Sequence, residues 1–250
     1  MLDFHEWHEG VIKKRKPTSM KRLWVVSIGF GMLCVMLAML YIIFLSQEAS
    51  GVESLNRSLA IAAVVAVGVS FALSGLCYFW DFVDTKIIYR KYIGIVGLDL
   101  ALLHGGLSWF LYVSQKHTSP AYIYEHIWTV GSLHISNSTS AVFGIIALLI
   151  LCIMFISSRS FIMPKLGGKH WREILRTGYV ALFLTIFHFG IKQSFEWSRW
   201  TQTRELSSFP PASMLVMIFI IAVLTLRLTL FIALINHARI QKTGKTNIVR

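Results

Sequence analysis

His104 and His188 stand in the middle of two separate apolar stretches, each long enough to cross a bilayer. An imidazole in hydrocarbon forfeits its hydrogen bonds to water, so a histidine held there calls for a partner. His104 is twelve residues into its stretch and His188 eleven into its own, which at about 1.5 Å per residue puts both roughly 17 Å from the same membrane face. Two neutral imidazoles at one depth on facing helices are the donor set for axial ligation of a haem iron. Gly105 and Gly106, beside His104, would give a flat macrocycle room to approach. The competing reading is that each histidine makes an interhelical hydrogen bond of its own.

A stack of two haems would repeat the ligands thirteen or fourteen residues along the same helices. Those positions hold Arg90 or Lys91 and Ile174 or Leu175, none of which ligates iron, so the frame holds one haem at most. Arg227, in the last apolar stretch, is the other costly residue. It either snorkels to the interface or pairs with an anionic cofactor group. Asp99 lies five residues before His104 and points roughly 140° away around the helix. It is expected to bond another helix rather than to orient His104. His117, His126 and His134 fall in one loop and form a weaker candidate metal set, while His5, His8, His170 and His237 read as interfacial. Asn56-Arg57-Ser58 and Asn137-Ser138-Thr139 match the glycosylation triplet, a short and uninformative motif.

The elements that must position these residues follow from composition. The 250 residues are 55% hydrophobic and only 14% charged, with mean hydropathy +0.63. Too few charges remain to cover a soluble globule, which implies an integral membrane protein. Six continuous apolar runs, roughly 23–46, 58–79, 92–113, 141–157, 177–195 and 214–236, predict an all-α bundle of six transmembrane helices. Runs without period-two alternation argue against a barrel. The chain thus divides into a basic segment (1–22), a six-helix membrane domain (23–236) and a tail (237–250). No internal repeat and no Gly-rich dinucleotide fingerprint is visible. Cys34, Cys77 and Cys152 fall in three different spans and form no zinc or disulfide pattern.

The net charge of +12 is chiefly a topology signal. With the N-terminus inside, the basic residues of 13–22, 86–91, 159–176 and 239–250 all lie on the inner side, eighteen of the twenty-four in the chain. Arg57, Lys116, Lys192, Arg199 and Arg204 fall outside, and Arg227 lies within a span. Both termini are therefore expected in the cytoplasm, with the protein multi-pass in the cell or plasma membrane. The basic residues form juxtamembrane collars suited to anionic lipid, which argues against nucleic acid as a partner.

In order and spacing, the residues from about 80 to 240 resemble the six-transmembrane epithelial antigen of the prostate (STEAP) metalloreductases of the ferric-reductase-like superfamily. The resemblance rests on Arg90-Lys91-Tyr92-Ile93-Gly94 leading to His104, Glu125-His126 with Trp128, and Trp171-Arg172-Glu173. Gly178-Tyr179-Val180 leading to His188, Pro210-Pro211 and the basic Arg227 complete it. It implies one haem b held by His104 and His188, a flavin such as FAD entering from the cytoplasmic side, and reduction of Fe3+ or Cu2+ chelates outside. Arg90 matches a flavin-contacting position, and Arg227 is a second contact. Ile174 stands where the family has a flavin-contacting glutamine, and the segment from Trp171 to His188 is four residues shorter than the family's. The family's multidomain members also carry a nicotinamide-binding domain that this sequence lacks, which implies a separate flavin reductase or other donor.

The function expected on this reading is transmembrane electron transfer by an oxidoreductase that needs no acid, base or nucleophile, because the redox chemistry belongs to the cofactors. Two alternatives stay open. One is a quinone- or flavin-linked cytochrome b subunit serving a periplasmic oxidoreductase; the other is a haem-free transporter or scaffold. Homo-oligomerisation is compatible with all three.

Overall fold

The computed structural model describes residues 19–45, 51–116, 128–130, 133–135, 137–159, 161–203 and 209–246. Among them are six long helices: α1 (Met20–Leu40), α2 (Gly51–Phe79), α3 (Arg90–Lys116), α4 (Asn137–Ser157), α5 (Met163–Thr203) and α6 (Ala212–Thr246). A π-helical turn (Tyr41–Leu45) extends α1, and a 3-10 helix (Asp81–Tyr89) leads into α3. Each long helix contains a segment long and apolar enough to cross a membrane. The six segments coincide with the six apolar runs of the sequence to within a few residues, except at the starts of α2, α3 and α5. The exception in α5 is chemical as well as positional. Its first turns, around Lys165, Lys169 and Arg172, are largely exposed and polar. A kink at Gly167 interrupts these turns, where a φ of 71° is left-handed and suits a residue without Cβ.

Small residues determine which helices meet. Side chains on α2 are enclosed along its length, and many are Ala, Gly or Ser, which lets neighbouring backbones approach closely where lipid offers no competing hydrophobic drive. A Cβ on Gly97 of α3 would sit 2.8 Å from Val67 of α2, and one on Gly75 of α2 would sit 3.1 Å from Leu226 of α6. Ala60, Val67, Phe71, Leu182, Phe189, Val216, Ile220 and Val223 form one core between α2, α5 and α6. Leu59, Ala62, Ala63, Val96 and Leu100 form a second between α2 and α3, with Trp24 of α1 against it. Large apolar residues such as Val25, Phe44, Trp109 and Phe110 face outward, the pattern expected of a surface that meets acyl chains. A two-stranded antiparallel ribbon, β1 (Trp128–Val130) with β2 (Leu133–Ile135), precedes α4.

Candidate functional site

His104 of α3 and His188 of α5 come together between the two hairpins, α2–α3 and α4–α5, with ring centres 6.4 Å apart and planes at 71°. Each ring is held by the helix that precedes its own. His104 Nδ1 is 3.0 Å from the Asn56 carbonyl oxygen and 2.9 Å from Asn56 Oδ1, while Asn56 Nδ2 donates to Ser108 Oγ at 2.9 Å. His188 Nδ1 is 2.8 Å from the Ser140 carbonyl oxygen. Ser140 Oγ donates to the His188 carbonyl at 2.9 Å and lies 3.1 Å from Nδ1. A carbonyl accepts and never donates, so each Nδ1 carries the proton and each Nε2 presents its lone pair. Neither Nε2 has a hydrogen-bond partner among the described residues.

This is how a metal-binding histidine is prepared: a second hydrogen bond fixes its tautomer and aims its ring. The separation suits a shared metal. With a metal–imidazole bond of about 2 Å on either side, two trans rings have their centres about 6 Å apart. Among the described residues no group of three or more His, Cys, Asp or Glu could hold an ion. A pair of imidazoles fits a metal whose remaining positions are filled by a macrocycle, whereas a structural zinc site takes four protein ligands. His104 and His188 thus fit a bis-imidazole haem.

Four residues of this arrangement were not singled out from the sequence as parts of the site. Asn56 is buried at 8% exposure and bonded to His104, so its glycosylation triplet is a coincidence of sequence. Ser108 and Ser140 are ordinary serines until the helices are paired. Gly144, one turn beyond Ser140, clears space for His188: a Cβ there would lie 2.9 Å from its Nδ1 and 3.1 Å from Cε1. The expected clearance at Gly105 and Gly106 takes a different form. Gly105 faces Leu148, and Gly106 has nothing within 4 Å because it opens onto an apolar surface groove beside Leu55, Leu103 and Phe110. Asp99 also departs from expectation. It is exposed on the bundle surface and has no hydrogen-bond partner among the described residues.

Toward the start of α3, Arg90 and Arg227 lie within electrostatic range of each other and of Tyr179. Arg227 Cζ is 5.1 Å from the centre of the Tyr179 ring, and Ser70 Oγ donates to the Arg90 carbonyl at 2.8 Å. Among the described residues no carboxylate is within ion-pair distance of either guanidinium. Arg90 is fourteen residues from His104, about 21 Å along the helix. At the opposite end Arg57 pairs with Glu196 at 3.3 Å, and Lys192 lies within electrostatic range of Arg57, Glu53 and Glu196 and of both imidazoles. The backbone of His134 pairs with Thr129 in the ribbon. His117, His126, His5, His8 and Arg204 lie outside the described residues. No protein-family model matches this chain, and no curated protein matches it at a significant level.

Proposed function

We propose that this protein passes electrons across a membrane through a single haem b bound between His104 and His188. The observation that carries the reading is the opposed pair of Nδ1-anchored imidazoles 6.4 Å apart. When bound there, the haem supplies a one-electron relay inside the apolar bundle. His104 and His188 would hold the iron, Asn56 and Ser140 hold the rings, and Gly144 leaves room for the His188 ring.

In the same proposal, Arg90 and Arg227 receive the phosphates of a flavin such as FAD. Two guanidinium groups at one place in a membrane span favour an anion there, and each offers charge-assisted hydrogen bonds to phosphate. Both chain termini lie in the cytoplasm, following the excess of Lys and Arg on that side. The protein then resembles STEAP metalloreductases in its direction of transfer: a cytoplasmic donor through flavin on the Arg90 side, and ferric or cupric chelates on the Lys192 side. The identity of donor and acceptor rests on that sequence resemblance alone.

Purified protein titrated with haemin provides the test. The expected result is one low-spin haem per chain with bis-imidazole spectra in both oxidation states. No uptake, or two haems per chain by pyridine haemochrome, overturns the reading.

A further inference from the structure

The two histidines are not merely opposed; their surroundings repeat. Asn56 and His104 are 48 positions apart, and so are Ser140 and His188. His188 follows His104 by the 84 positions that separate Ser140 from Asn56. The same offset relates Gly94, whose Cβ would touch Ser70, to Gly178, whose Cβ would overlap Phe71 of α2 and also touch Met154. Each glycine lies ten residues before its histidine, and Ser70 and Met154, themselves related by the same offset, lie on the preceding helix of the same hairpin. Hairpin α4–α5 therefore reproduces hairpin α2–α3 at three functional registers, although residue identities along the two are otherwise dissimilar.

We propose that Asn56 and Ser140 are a matched pair of positioning residues, one per hairpin, that fix both imidazoles with Nε2 toward a shared metal and their planes steeply crossed. The proposal rests on the haem reading above and adds what governs ring angle and donor strength. A main-chain carbonyl anchors each Nδ1, so the anchor itself is independent of side-chain identity. The side chain at the same residue adds a second polar atom: Asn56 Oδ1 at 2.9 Å or Ser140 Oγ at 3.1 Å. With two polar atoms around one N–H, the ring is restrained against rotation about its own axis. Rings crossed at 71° rather than parallel leave the iron d orbitals nearly degenerate, which gives a highly anisotropic ferric low-spin resonance. A hydrogen-bond acceptor at Nδ1 also makes the imidazole a stronger donor, which favours ferric over ferrous iron.

The test is electron paramagnetic resonance and redox titration of haem-loaded protein at saturating haem. Wild type should show the single low-field feature of crossed axial planes. Asn56→Ala should weaken haem retention by about ten- to a hundredfold, as loss of an outer-sphere partner does. At saturation it should also move the resonance toward the rhombic pattern of freer rings and raise the potential. Asn56→Ser, which places at residue 56 the side chain its counterpart has at residue 140, should restore both readouts. A rhombic wild-type spectrum with haem bound overturns the proposal and leaves the haem reading standing. So does Asn56→Ala with unchanged resonance and potential. Failure of wild type to take up haem overturns both.

Discussion

The bundle has two polar regions about 21 Å apart along α3, and they solve the problem of polarity in an apolar surround in opposite ways. Around His104 and His188 the chain supplies its own partners: carbonyls, an amide and hydroxyls satisfy every Nδ1 contact. Around Arg90 and Arg227 it supplies an aromatic face and a neighbouring cation, with no carboxylate at ion-pair distance among the described residues. The first region is satisfied except at the two Nε2 atoms, which on the proposed reading take a metal. The second has no carboxylate at ion-pair distance among the described residues, and on the same reading its counter-charge comes from an anionic ligand. What a buried polar cluster leaves unsatisfied says more about its ligand than what it satisfies.

Breaking the first region should have the largest effect. His104→Leu or His188→Leu should abolish the six-coordinate haem spectrum, while His170→Leu, at a site remote from both rings, should leave it unchanged; absorbance after haemin titration decides. Next comes Gly144→Leu, which drives a side chain into the space occupied by the His188 ring. It should remove most of the bound haem, whereas Gly106→Ala, with open space around it, should remove none.

The contrast between regions sharpens with Arg90→Ala and Arg227→Ala. Each should weaken flavin binding about tenfold or more, the loss of one charge-assisted hydrogen bond of about 1.5–3 kcal/mol, and slow haem reduction by limiting flavin. The haem spectrum should stay as in wild type. Unchanged reduction rates in both variants would remove the flavin from the second region. The smallest effect is expected from Arg57→Ala. Its pair with Glu196 is partly exposed at 34% and 27%, and such pairs contribute about 0–1 kcal/mol, so thermal unfolding should shift by only a few degrees.

Much of the frame was legible because its cause is local. Apolar runs of sufficient length give helices wherever they occur, and a histidine inside one is conspicuous by its type. Helix rise puts His104 and His188 at one depth, since equal distances from one interface are equal depths, whereas their meeting depends on how the two hairpins pack. Asn56, Ser108 and Ser140 were illegible for the converse reason: a serine or asparagine within a helix is polar without being costly, and its role depends on which helix packs beside it. Gly106 and Gly144 show the same limit. Adjacency in sequence suggested the first, but clearance belongs to the residue across the interface, which only the packing of α4 on α5 identifies. Asp99 was misjudged because helical angle places a side chain relative to its own helix and not relative to the bundle surface.

The hairpin-internal bonds of the two rings bear on how the protein is made. Asn56 and His104 both precede Lys116, so the first half-site is translated in full before α5 exists. Its imidazole can be aimed by a neighbour synthesised moments earlier, and the second half repeats the process. With ring and anchor held within one hairpin on each side, bringing the two rings together takes the docking of two hairpins rather than a search by two loose side chains.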